Sequence, residues 1–237
     1  MKIDLKAPEW NDKASHNPDE LRIYLEENDY LRAYSKHTDL RVRRDGPALA
    51  IGGQWEEHGP LQLAFLKAHG LTPASTLLDL GCGTGRFARH AVPFLAPSNY
   101  TGIDISLEAL QYARNLSCGE GWADKNPTFI LADGTLSSIH AEFDLIWAHS
   151  VFTHLPPEIV ETILVNISRN IHFGKFFFTY KRRERPMRTG LKQFGYDPDW
   201  FIRAAAKAGL KAQEMPDKFP QGQSTMNVWQ PTMRVER

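Results

Sequence analysis

The stretch Leu77–His90, LLDLGCGTGRFARH, places an apolar run ahead of three glycines at alternate positions, Gly81, Gly83 and Gly85. An apolar strand that ends in closely spaced glycines and runs into a helix sets a bare backbone loop at the carboxyl edge of a sheet. Open α/β folds take their ligands at that edge. The spacing is G-x-G-x-G rather than the G-x-G-x-x-G of dinucleotide sites, and no Gly-Lys-Ser/Thr follows for a phosphate loop. Cys82, flanked by glycines and with no evident base, reads as a small packing residue rather than a nucleophile.

Outward from this loop, short apolar runs alternate with helical patterns, the mark of βα units building a parallel sheet. The strand candidates are 76–81, 100–105, 128–133, 143–149 and 175–180, followed by 210–215 and 224–231 as a closing antiparallel pair joined by the loop PDKFPQGQ. Val160, Ile163, Leu164, Ile167 and Ile171 recur at helical spacing behind Pro156 and Pro157. A further helix is framed by Asp197 as cap, Pro198 at the first position and Gly209 beyond the end.

Upstream, NPDELRIYLEENDYLRAY predicts a helix with Asn17 as cap, Pro18 in the first turn, Glu20 at the capping-box position and Leu21, Tyr24 and Leu25 on one face. Another helix is expected from Pro60 to Gly70, and the glycine-punctuated RRDGPALAIGGQWEEHG between the two reads as mobile or ligand-shaped. The chain divides on this reading into a helical arm, 1–54, and a main domain, 55–237.

With 237 residues, 42% of them hydrophobic, the chain can bury a full core. Lys plus Arg equals Asp plus Glu at 28 each, so no overall field recruits nucleic acid or an anionic membrane. Two cysteines, Cys82 and Cys118, are too few for a disulfide framework or a cysteine-based metal site, and no metal is expected. The polar N-terminus lacks a signal-peptide apolar region, and no run of about 18 apolar residues occurs. The expectation is a soluble, cytoplasmic protein.

Asp104 ends the second strand 23 positions after Gly81, near the interval at which such folds take a ribose diol. A carboxylate accepts two hydrogen bonds from vicinal hydroxyls. Asp133 in LADG ends the third strand, where it can accept from an exocyclic amine. In this order LLDLGCGTGR, YTGIDIS, LADG and FDLIWAHSVFTHLPP resemble the motifs of the class I S-adenosylmethionine-dependent methyltransferases, over roughly residues 55–231. The resemblance implies a Rossmann-like seven-stranded, mostly parallel sheet of order 3-2-1-4-5-7-6, with strand 7 antiparallel. It implies S-adenosylmethionine as cofactor, with S-adenosylhomocysteine as product. Asp79, Gly81, Cys82 and Gly83 would lie along the methionine part, Asp104 on the ribose, Ile105 against the adenine and Asp133 with Gly134 at the adenine amine. The backbone around Ala148 and His149 would meet the methionine amino group. Trp55 stands as a lid or cofactor contact.

The reaction so implied is in-line methyl transfer, and a hydroxyl acceptor needs a base. His149 and His154, in AHSVFTHLPP, and His58, in QWEEHGPLQ, are the candidates; a capping or packing role for His154 is the competing reading. AHSV stands where related enzymes acting on amide or base nitrogens carry an Asn/Asp-Pro-Pro-aromatic element. That absence, with the balanced charge, disfavours nucleic acid and leaves a small molecule, methylated on a hydroxyl or carboxylate oxygen, as the leading acceptor. The run YKRRERPMR after the fifth strand, with Tyr180, Arg182 and Arg183, suits an anionic substrate group, or else is a solvated loop. Methylation of a protein or RNA, and a non-catalytic cofactor-binding partner subunit, remain as alternatives. The oligomeric state stays open.

Overall fold

The computed structural model describes residues 19–231. Three helices come first: α1 (Asp19–Glu27), α2 (Tyr30–Asp45) and the single-turn α3 (Pro47–Ala50). The helix expected across 17–34 is broken at Asn28 and Asp29, because Asp29 caps α2 by accepting from the Arg32 amide at 3.1 Å. Asn17 and Pro18 lie outside the described residues. The glycine-punctuated segment is more ordered than expected: α2 runs to Asp45, and α4 (Trp55–Ala68) begins before Pro60 and carries it within the helix.

The sheet follows with β1 (Leu77–Leu80), β2 (Tyr100–Asp104), β3 (Thr128–Leu131), β4 (Ala141–Ala148) and β5 (Ile171–Lys181). Helices α5 (Ala88–Phe94), α6 (Leu107–Gly119) and α7 (Pro157–Asn170) join them, and Ser106 caps α6 through the Ala109 amide. A short hairpin of β6 (Met187–Thr189) and β7 (Gln193–Gly195) precedes α8 (Pro198–Lys207), β8 (Lys211–Phe219) and β9 (Gln223–Trp229). The sheet order is β3-β2-β1-β4-β5-β9-β8, with β9 antiparallel to both neighbours. It differs in numbering from the expected order only because the hairpin, where no strand was expected, takes two places in the count.

Two boundaries are corrected. Ile171 opens β5 opposite Ala141 of β4 instead of closing α7; its burial at helical spacing is strand burial in the same core. The loop PDKFPQGQ is mostly strand, since β8 extends through an irregularity between Met215 and Lys218 to Phe219. Asp197 caps α8 as expected, accepting from the Trp200 amide at 2.8 Å.

Period-two alternation sorts the strands between two cores. Leu78, Leu80, Ile146, Ala148, Phe176 and Phe178 face a cluster shared with α7, α8 and the arm. Leu77, Leu145, Trp147 and Phe177 face α4 and α5. Leu21, Leu25, Tyr30 and Ala33 join the first cluster, so the described part of the arm packs into the sheet's own core. No helix among the described residues is long and apolar enough to cross a membrane.

Candidate active site

The carboxyl ends of β1, β2, β4 and β5 open into a cavity of about 340 Å³, roofed by α2 and the segment after it. The glycine stretch forms its rim. Gly81 and Gly83 sit at φ 74° and 56°, a left-handed backbone that side chains disfavour. Space excludes them as well: a Cβ on Gly81 would stand 2.4 Å from Val151 Cγ2, and one on Gly83 3.0 Å from Ile51 Cγ2. Ser150 has no such excuse at φ 61°. Its amide donates to Thr179 Oγ1 at 2.8 Å and its hydroxyl accepts from Gln223 Nε2 at 2.5 Å, which holds the strained turn where β4 reaches the cavity.

One end of the cavity is acidic. Asp104 accepts from the Gly83 amide at 2.8 Å and the Ser106 amide at 2.9 Å, one bond to each oxygen, leaving a further lone pair on each. Burial raises its carboxyl above the ordinary value despite those bonds. Asp79, also lining the cavity, has Tyr100 as donor at 2.6 Å, and burial pushes it up to about 7. Arg86, the last residue of GTGR, gives Nη1 to the Gly53 carbonyl at 2.7 Å, and burial lowers its guanidinium to about 10. It lines the cavity beside Asp79.

All three sequence-predicted histidines reach the cavity, in different states. His154 Nδ1 lies 2.7 Å from the Lys192 carbonyl, and a carbonyl only accepts, so Nδ1 carries the proton and Nε2 the lone pair. The ring stacks on Tyr34 at 5.7 Å. Burial, with Lys192, Lys181 and Arg41 nearby, lowers it to about 4 against the opposing carbonyl bond, so it is neutral at pH 7. His149 stacks on Trp147 at 5.8 Å and meets His58 edge-on at 5.5 Å. Its Nδ1 makes a long 3.4 Å contact to Thr179 Oγ1, while His149 Nε2 and both His58 ring nitrogens are buried without a protein partner. Burial holds His149 far below the ordinary value.

Ile105, Cys82 and Gly134 line the cavity as expected. Five expected contacts lie elsewhere. Asp133 accepts from the amides of Thr135 and Leu136 and the hydroxyls of Thr135 and Ser137, so a local turn occupies its carboxylate. Trp55 packs edge-on against Tyr112 at 6.5 Å with the Arg89 guanidinium over its ring. Tyr180 is fully buried in the core and donates to Glu214 at 2.8 Å. Arg182 pairs with the same Glu214 outside the cavity, and Arg183 is exposed, with Nη1 on the Arg182 carbonyl at 2.9 Å. Period-two alternation puts Tyr180 and Arg182 together on the face that meets Glu214, and Lys181 on the other, and Arg183 lies beyond the end of β5.

In their place the basic wall is Lys181, Lys192 and Arg41. Lys192 and Gln193 arrive on the hairpin, which has no clear strand pattern in the sequence; the one signal was the turn glycine Gly190, at φ 66°. Gln62 and Gln223 were also missed. Gln62 accepts from Trp147 Nε1 at 2.8 Å and donates to the His58 carbonyl at 3.0 Å, a role set by tertiary packing.

Residues 77–174 match a family described as Methyltransferase domain. The malonyl-[acyl-carrier protein] O-methyltransferase of Legionella pneumophila is 30% identical over 124 residues, 52% of this chain and 40% of that protein. The ubiquinone biosynthesis O-methyltransferase of Hydrogenovibrio crunogenus is 28% identical over 111 residues, 43% of this chain and 45% of that one. The matches thus span less than half the length of these curated relatives. Among solved structures, magnesium protoporphyrin IX methyltransferase from Synechocystis PCC 6803, with S-adenosylmethionine bound, superimposes with a TM-score of 0.64 at 15% identity, covering 86% of this chain and 98% of that one. The [4+2]-cyclase SpnF superimposes with a TM-score of 0.65 at 16% identity, over 86% and 97%. Residues 77–174 thus match the methyltransferase-domain family model, and the sheet around them has the fold of these solved methyltransferase structures.

Proposed function

We propose that the protein transfers a methyl group from S-adenosylmethionine to an oxygen of a small-molecule acceptor. The observation that carries this is one cavity with two unlike ends: acidic Asp79 and Asp104 at the glycine loop, and a neutral histidine with a free lone pair, His154, across from them. The residues present fit the cofactor. Asp104 retains acceptor capacity for a ribose diol, and buried Asp79 would be relieved by the cofactor's ammonium. Arg86 beside it has donors for the methionine carboxylate. Gly81 and Gly83 keep their amides bare.

The bound cofactor supplies an activated methyl on a sulfonium; position and electrostatics fall to the protein. His154 then takes the proton of an acceptor hydroxyl at Nε2, and the Lys192 carbonyl holds Nδ1–H so that the ring has one fixed tautomer. A carboxylate acceptor would need no such base. Leu31, Tyr34 and Thr38 of α2 line the cavity and would keep water from it, which gives the described part of the arm, residues 19–54, the role of lid. The relatives named for O-methylation support oxygen as the acceptor atom.

Calorimetry with S-adenosylhomocysteine should give saturable 1:1 binding; a folded sample that binds neither it nor S-adenosylmethionine overturns the reading. On a hydroxyl acceptor, His154→Ala should lower turnover about 10²- to 10⁴-fold with cofactor affinity unchanged. Parallel loss of both would make His154 structural.

A further inference from the structure

Arg41 of the basic wall is paired with Asp45 at 3.1 Å, but the two lysines have no counter-charge of their own. Lys181 and Lys192 are both half-buried and both line the cavity. Lys192 Nζ lies 3.3 Å from His37 Nε2, a ring that burial keeps neutral, so the ammonium rests on an uncharged acceptor. Lys181 Nζ donates to Gln193 Oε1 at 2.5 Å, again uncharged. No carboxylate stands within 4.0 Å of either ammonium among the described residues. The acids whose charge reaches Lys192 are Glu20 and Asp45, and both are bound to Arg44, with Asp45 also held by Arg41. Two cations withdrawn from water without an anion are costly, and a ligand that brings the charge recovers that cost.

We propose that the acceptor is a small organic anion, and that Lys192 and Lys181 hold its charged group beside His154. This rests on the methyl-transfer reading of the cavity and adds the substrate class to it. The placement gives the cavity opposite polarities at its two ends, with Asp79 and Asp104 for the cationic donor and the lysines for the anionic acceptor. It also couples recognition to chemistry. Lys192, Lys181 and Arg41 together disfavour a proton on His154. An anion seated on the lysines cancels that field and makes Nε2 a better proton acceptor when substrate is present. The binding group is supplied by β5 and the hairpin, whereas the exposed arginines after β5 take no part.

The test uses acetate and inorganic phosphate, with acetamide as the neutral match for acetate, titrated into the protein with and without S-adenosylhomocysteine while His154 ring signals are followed by NMR. At least one anion should bind saturably and tenfold or more tighter than acetamide. Lys192→Gln should weaken it about tenfold, and Lys181→Gln should also weaken it. The Lys192→Gln variant keeps the backbone carbonyl that holds His154, so unchanged S-adenosylhomocysteine affinity marks an intact site. Anions no tighter than acetamide, or binding indifferent to Lys192→Gln, overturn the proposal. Failure of S-adenosylhomocysteine to bind counts against the transferase reading instead, because the anion titration is read independently. Which anion wins distinguishes a carboxylate from a phosphate on the substrate.

Discussion

Asp104 holds the glycine loop by two backbone bonds and, on the proposed reading, would hold the ligand as well. Its two backbone acceptor bonds fix the turn after β1 to the end of β2, and the residue lines the cavity. Asp104→Ala should therefore weaken S-adenosylhomocysteine binding by about 1–3 kcal/mol, the cost of leaving polar partners unsatisfied; calorimetry on the variant checks it, and unchanged affinity would remove Asp104 from the site. The place of Asp104 at the cavity was legible in the sequence because it depends on spacing from the glycines. Asp133 was equally conspicuous, yet Thr135 and Ser137 lie close enough in sequence to capture its carboxylate first. A strand-end aspartate announces an acceptor without saying which donor will win it.

At the scale of the element, the strand–glycine–helix unit is over-determined by conformation and by space. Gly81→Ala adds a Cβ 2.4 Å from Val151 Cγ2 at φ 74°, whereas Gly121→Ala, at φ 76°, meets nothing within 4 Å. Both carry the left-handed penalty of roughly 1 kcal/mol, and Gly81→Ala should lose about 1–3 kcal/mol more from overpacking. Val151→Ala in the same chain should restore part of that extra loss. Urea unfolding of the three variants separates the two costs; equal loss at both glycines would mean that Val151 moves aside freely. Helix ends set by capping, such as Asp197 at α8, were readable in advance, but the join of α7 to β5 was not. A buried isoleucine at a helical interval satisfies either period, and pairing with Ala141 decided it.

Over the whole molecule, buried titratable groups give stability a pH dependence of definite sign. Burial lowers His37 to about 3 and His154 to about 4 from an ordinary 6.5, so between pH 4 and 6.5 the unfolded chain binds protons that the fold refuses. Stability from these groups is complete above pH 6.5 and is lost as pH falls through that window. Asp79, raised to about 7, acts oppositely: the fold keeps a proton that the unfolded chain releases above its ordinary 3.8, so its contribution fades as pH rises toward 7. His149 joins the first group and Asp104 the second, in direction. His37 and His154 against Asp79 alone leave a net slope of about one proton near pH 5, or roughly 1.4 kcal/mol per pH unit, and His58 and His90, lowered by burial as well, add to the histidine side. The urea midpoint should therefore be lower at pH 5 than at pH 6.5; equal midpoints would show that the histidines accept protons within the fold.

By itself the sequence determined the order of βα units, the glycine loop, Asp79 and Asp104 at strand ends, and the histidines near β4. Each depends on spacing along one chain segment, where period and turn chemistry act locally. Only the tertiary structure decided the acceptor side. The hairpin carrying Lys192, the inward turn of Tyr180, the glutamate that takes Arg182 and the neutral His37 beneath the lysine come from segments far apart in sequence. Charge on a side chain is legible in advance, but whether an opposite charge meets it is a matter of packing, and that is what leaves two lysines open to an anion.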